Sequence, residues 1–146
     1  MRAVIQRVRS AQVAVEGQTT GRIERGLLVF LGIGKGDTES DAEWMVRKIV
    51  NLRVFPDSEG KMNRSVLDIQ GGILLVSQFT LYGNCRKGTR PSFDEAADPE
   101  TARELYAIAV ELICKEKIEV ATGVFAAHMD ITAEHDGPVT IGLDSR

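Results

Sequence analysis

Residues 27–33 read LLVFLGI, a run without a polar side chain. A strand with one wet face alternates apolar and polar residues, so this run predicts a strand buried on both faces. Such a strand needs a packed layer on each side. The stretch GGILLVSQFTLYG at 71–83 repeats the signal, as a turn and a second buried strand.

The covering layers come from two helical patterns. Residues 41–53 place Ala42, Met45, Val46, Ile49 and Leu52 on one stripe, and Ser40 with Glu43 forms a capping box ahead of it. A second helix opens at DPET, with Asp98 as N-cap and Pro99 at the first helical position, and runs to about residue 117. Its stripe is Ala102, Leu105, Ala109, Leu112 and Ile113, and both stripes read as core faces. At the start, RAVIQRVRSAQVAVEG shows near period-2 runs of β-branched residues and reads as one long or two short strands. Strands before the first helix and after the second, with few crossovers, predict a mixed or antiparallel α/β sheet and not a doubly wound one. Near the end, DGPVT at 136–140 stands between MDITAE and IGLDSR, which both alternate like strands. Proline has no N–H for a ladder and glycine weakens a strand, so the pair either separates two strands or presents backbone to something.

At 146 residues the chain fits one domain spanning 1–146, which buries roughly two thirds of its unfolded surface. Cys85 and Cys114 match no metal spacing and suggest no disulfide framework, which favours a reducing compartment. No run approaches ~18 apolar residues, so a soluble, cytoplasmic protein without a membrane partner is expected. A net charge of −3 argues against broad attraction to nucleic acid, so such a partner has to be gripped locally.

The usual catalytic signatures are nearly missing: no nucleophile elbow, no phosphate loop, and two isolated histidines, His128 and His135, in strand-like sequence. They read as lone surface or core residues, and neither a metal nor a cofactor is expected. Ser77, Gln78 and Thr80 interrupt an apolar run. Because a buried, unpaired polar group costs ~1–3 kcal/mol, they either hydrogen-bond within the sheet or face a wet pocket. Arg86, Lys87 and Arg90 crowd around Gly88, which suits phosphate contacts or an ordinary solvated loop.

Five stretches together, MRAVIQRV at the start, SQFTL at 77–81, RKGTRPSF at 86–93, GVFAAHM at 123–129 and DGPVT at 136–140, closely resemble the D-aminoacyl-tRNA deacylase family, also called D-tyrosyl-tRNA deacylases. The likeness spans essentially the whole chain. It implies a homodimer of a small β-barrel-like, mostly antiparallel α/β fold with two main helices. It also implies hydrolysis of the ester between a D-amino acid and the tRNA 3′ end, and acceptance of glycine mischarged on alanine tRNA. By the same resemblance, a strand holding Ser77, Gln78, Phe79 and Thr80 lines the pocket. The Gly137–Pro138 pair of the partner subunit enters it with a cis peptide bond, and Arg7 braces that loop; otherwise Arg7 is an ordinary exposed strand residue. Phe125, Ala126 and Met129 border the terminal adenine or pack in the core. Family members commonly carry asparagine where this chain has His135.

Thr80 invites a role as nucleophile, yet no base is identifiable beside it. The favoured reading makes Phe79 and Thr80 backbone N–H donors to the oxyanion, with Ser77 and Gln78 holding the ester and the ribose 2′-OH activating water. Two other readings fit less of the sequence: a hydrolase of another small ester or amide, and a non-enzymatic dimer that binds RNA ends through RKGTR.

Overall fold

The computed structural model describes residues 1–146. The strands are β1 (Arg2–Val15), β2 (Gln18–Ile23), β3 (Gly26–Gly32), β4 (Phe55–Pro56), β5 (Met62–Arg64), β6 (Gly72–Ser77), β7 (Val120–Thr122) and β8 (Asp130–Asp144). Two helices, α1 (Glu39–Asn51) and α2 (Pro99–Lys115), accompany them. The main sheet runs β2-β1-β3-β6-β7, with β8 on the other edge of β1. β1 is antiparallel to β2, β3 and β8, while β3, β6 and β7 are parallel. The sheet is therefore mixed.

Curling brings its ends together. A Cβ on Gly21 of β2 would lie 2.4 Å from the carbonyl oxygen of Thr122 on β7, so only glycine allows this approach, and the sheet forms a nearly closed barrel. The two apolar runs behave as their composition predicts. Leu27, Val29 and Leu31 of β3, with Ile73 and Leu75 of β6, pack under the helices with Ala42, Met45, Ile49, Leu105 and Ile113. The alternate residues Leu28, Leu74 and Val76 point the other way and join Val8, Ala11, Val13 and Ile23. Period 2 thus divides two uninterrupted runs between two cores.

Of the two readings of the N-terminal stretch, one long strand is the one found, β1. Other elements differ from the sequence reading. α1 begins two residues earlier, with Thr38 as N-cap and Asp41 completing the capping box in place of Ser40 and Glu43. The Asp41 carboxylate accepts the Thr38 N–H at 2.9 Å, which moves the cap to Thr38 and places Ser40 inside the first turn. The Asp98 cap holds, accepting from the N–H groups of Glu100 and Thr101, but α2 ends at Lys115.

SQFTL is not a strand. β6 stops at Ser77, its parallel neighbours β3 and β7 end at Gly32 and Thr122, and residues Phe79–Tyr82 form a 3-10 turn. Gln78 makes the last ladder bond, to the Leu31 carbonyl at 2.8 Å, and beyond it there is no strand edge to follow. The Gly137–Pro138 pair, for its part, does not split β8. Gln6 pairs with Thr140 and Val8 with His135, so the single residue Arg7 faces an excursion of four residues, 136–139, while the strand continues on both sides.

Candidate active site

The parallel ends of β3 and β6 open on one side of the barrel, as parallel strand ends do where loops must leave the sheet. There the sequence changes from ILLV to Ser77 and Gln78, and a cleft of about 520 Å³ lies over them. Its walls are Ser77, Gln78 and Phe79, the segment Phe125–Met129, and Pro99 and Ala102 at the start of α2. The lining is mostly apolar, and His128 is its one ionisable side chain.

Local chemistry positions each wall. Phe79 and Thr80 open the 3-10 turn, so their N–H groups have no acceptor within it. The Gln78 side-chain amide donates to the Thr80 hydroxyl, which ties the turn to the strand end. Phe79 is 55% exposed and meets Phe93 edge-on, with ring centroids 5.0 Å apart. Opposite, Ala126 takes the left-handed φ of 63°, which folds residues 125–129 over the cleft. Phe125 is held from below by Tyr106, at 6.0 Å between rings, and by the Arg103 guanidinium, at 4.9 Å. Tyr106 donates to the Leu75 carbonyl at 2.8 Å, and burial pushes its phenol up to about 12. It serves as a neutral strut.

Six residues picked from the sequence thus meet in one cleft: Ser77, Gln78, Phe79, Phe125, Ala126 and Met129. Thr80 stands beside it, exposed. Arg86, Lys87 and Arg90 are exposed on a separate loop, whose base is closed by the antiparallel bridge between Asn84 and Ser92. Gly137 and Pro138, joined by a cis peptide, are exposed and form no part of the cleft lining of their own chain. Arg7 is 12% exposed at its side chain. It donates from Nε to the Asp136 carbonyl at 2.8 Å, pairs with the Asp136 carboxylate at 3.2 Å, and donates from Nη1 to the Val54 carbonyl.

Sequence reasoning missed four contributors. Asp136, the anchor of Arg7, directly precedes the Gly137–Pro138 pair in the DGPVT motif. His128 stands in strand-like sequence but lies in the irregular segment before β8 that lines the cleft. Ala102 belongs to the stripe read as a core face, and Pro99, read as the first helical position, is the available signal that α2 begins at a surface.

The chain matches the family model described as D-Tyr-tRNA(Tyr) deacylase over residues 4–144. It is 60% identical over 147 residues to the D-aminoacyl-tRNA deacylase of Thermosipho melanesiensis, covering 100% of this chain and 98% of that one. Among solved structures, the c-Myc DNA unwinding element binding protein superposes with a TM-score of 0.94 at 45% identity, covering 100% of this chain and 99% of the other. A structure described as that of a probable eukaryotic D-amino acid tRNA deacylase gives 0.82 at 17% identity over 97% of each chain, and shares the fold.

Proposed function

The chain belongs to the D-Tyr-tRNA(Tyr) deacylase family, and we propose that it hydrolyses the ester of D-aminoacyl-tRNA, rejecting L-substrates through the Gly137–Pro138 backbone of a second copy. The enzyme class follows from the family. The cross-subunit reading rests on one observation: the cleft holds residues suited to an ester, whereas Gly137 and Pro138 stand exposed outside it. A second subunit is the natural source of the missing wall. In support, β8 pairs only with β1 and none of its residues is fully buried, which leaves a 15-residue sheet edge to cover.

In this arrangement the pair is a wall of main chain. Gly137 has no Cβ, Pro138 has a locked φ, and carbonyl oxygens are available to an α-ammonium. A D-residue directs its side chain away from the wall, and an L-residue drives it into two peptide units. Shape and apolar contact alone discriminate by only ~1–3 kcal/mol per methylene, so a steric wall is the stronger filter. The filter ignores which D side chain is present, and glycyl-tRNA, including glycine mischarged on alanine tRNA, passes it.

Ser77 and Gln78 hold the ester, and the N–H groups of Phe79 and Thr80 receive the carbonyl oxygen as it becomes an oxyanion. Water, deprotonated through the terminal ribose 2′-OH, adds to the carbonyl carbon. Collapse expels the 3′-oxygen, which takes up a proton, and leaves free D-amino acid and tRNA. Phe125, Ala126 and Met129 offer the terminal adenine an aromatic and sulfur-bearing face. The homodimer would work in the cytoplasm, where charged tRNA is found.

The test is deacylation of matched D- and L-tyrosyl-tRNA by the purified protein. Cleavage of the D-ester with the L-ester spared by at least about a thousandfold is expected, beyond the roughly 10–200-fold that apolar fit supplies. Equal cleavage of both would refute the chiral filter, and no cleavage of either would favour an RNA-end binder.

A further inference from the structure

We infer that Phe93 is a positioning residue for the reaction: its ring holds Phe79 at the rim of the cleft and joins the basic loop to the reacting centre. The inference rests on the reading that the Phe79 N–H serves the ester carbonyl.

Phe79 is an awkward residue for such a task. Its side chain is more than half exposed, and it opens a short 3-10 turn at which ladder bonding has ended. A backbone donor has to be held within a fraction of an ångström to be useful, since a misplacement of ~1 Å costs up to about a hundredfold. The turn's own bonds are few: Leu81 to the Gln78 carbonyl at 3.3 Å, and Gly83 to the Thr80 carbonyl at 2.9 Å. Further restraint comes from outside the turn.

Phe93 supplies it. Its ring meets the Phe79 ring edge to face, at 67° between planes. It also lies over the other end of the turn, where a Cβ on Gly83 would come 3.2 Å from its Cε1 and 3.8 Å from Pro91. The half-buried ring therefore touches both ends of the Phe79–Gly83 segment. Phe93 itself is anchored. Asn84 and Ser92 exchange two backbone bonds at 2.8 and 3.0 Å, Ala96 donates to the Phe93 carbonyl at 3.0 Å, and Ala97 donates to the Ile33 carbonyl at 3.0 Å. The two bonds between Asn84 and Ser92 close the loop that carries Arg86, Lys87 and Arg90, so Phe93 follows directly on its stem. The stem of the basic loop and the donor turn are thus joined by this aromatic contact as well as by the chain at Gly83 and Asn84.

The prediction is a split between binding and turnover. Phe93→Ala should lower kcat on D-tyrosyl-tRNA by at least roughly tenfold, while KM and the salt dependence of tRNA binding change by less than about twofold. Phe93→Tyr, which keeps the ring, should restore turnover. Phe93→Leu keeps the apolar bulk and guards against a folding defect, and it should resemble Phe93→Ala in kcat while melting near the wild type. A double-mutant cycle with Phe79→Ala identifies the route: if Phe93 acts through the Phe79 ring, the double variant is no slower than Phe79→Ala alone. Multiplying losses, or full kcat in Phe93→Leu, would overturn the inference. Failure of the underlying site reading shows separately, as full activity in Ser77→Ala and Gln78→Ala.

Discussion

Arg7 is the one β1 residue opposite the excursion 136–139, and its guanidinium donates to the Asp136 carbonyl at 2.8 Å. The residue that the bulge leaves without a partner in β8 thus becomes the clamp on the bulge. Its second arm reaches the Val54 carbonyl, so the loop is referenced to the core beside Phe55. Arg7→Ala strands two acceptors and should destabilise the protein by about 2 kcal/mol, with a lower ratio of D- to L-hydrolysis. Arg7→Lys should recover little, because an ammonium cannot make both bonds in fork geometry. Thermal melting and the D:L ratio are the measurements. An unchanged ratio in Arg7→Ala would mean that the clamp has no part in selectivity.

Thr80 accepts a hydrogen bond from Gln78, and no carboxylate or lysine shares the cleft. An unassisted hydroxyl is a weak nucleophile. Thr80→Ala and His128→Ala should each keep kcat within about tenfold of wild type, less than the ~10²-fold or greater loss expected of an acid–base or covalent group. A thousandfold loss in either, with the fold intact, would transfer the chemistry to that side chain.

The loop between Asn84 and Ser92 carries three exposed cations on a chain of net charge −3. If Arg86, Lys87 and Arg90 meet phosphates, each alanine variant should weaken tRNA binding and reduce the slope of log affinity against log salt by roughly one unit. The D:L ratio should not move. Three unchanged slopes would make the loop a solvated surface.

Asp98 caps α2, whose first turn supplies Pro99 and Ala102 to the cleft. The backbone bond from Thr101 is foremost in holding its carboxyl below the usual value of 3.8. A carboxylate depressed in the folded state contributes stability that is full above the unfolded value and lost as pH falls through the folded one. Asp98→Asn keeps an acceptor but removes the charge at the helix start, so its melting temperature should lie roughly 1–3 °C below wild type at pH 7. That gap should close as the pH drops below the unfolded 3.8. A gap independent of pH would show that the charge contributes nothing there.

What could be read in advance follows the range of the interactions involved. The runs at 27–33 and 73–76 announced buried strands, and Asp98 with Pro99 announced a helix start, because each signal is local. Where SQFTL stops being a strand depends on where β3 and β7 end, which no residue within the motif encodes. The unbroken course of β8 likewise depends on β1, whose ladder resumes at Gln6 after skipping Arg7. In the α1 region the Ser40–Glu43 box read from the sequence falls inside the helix, because Asp41 bonds back to Thr38 instead. The cleft residues come from three distant stretches, so only resemblance to a family could group Ser77 with Phe125 and Met129. His128 and Asp136 joined the site through packing and bonding that a one-dimensional reading does not contain.

If the wall that reads chirality in one cleft comes from the other subunit, two differently defective subunits should complement each other in a hybrid dimer. A Cβ at Gly137 would lie 2.2 Å from the Val139 nitrogen, so Gly137→Ala must displace the loop and should spoil its homodimer. Ser77→Ala with Gln78→Ala should spoil the other homodimer at the cleft. In a hybrid carrying one subunit of each kind, the cross-subunit account gives one cleft that is intact and faces an intact loop, and one that is defective in both. D-tyrosyl-tRNA hydrolysis should then return to about half the wild-type rate per dimer, with the L-ester still spared. If each loop served its own cleft, neither site in the hybrid would be whole, and a hybrid as defective as its parents would contradict the account.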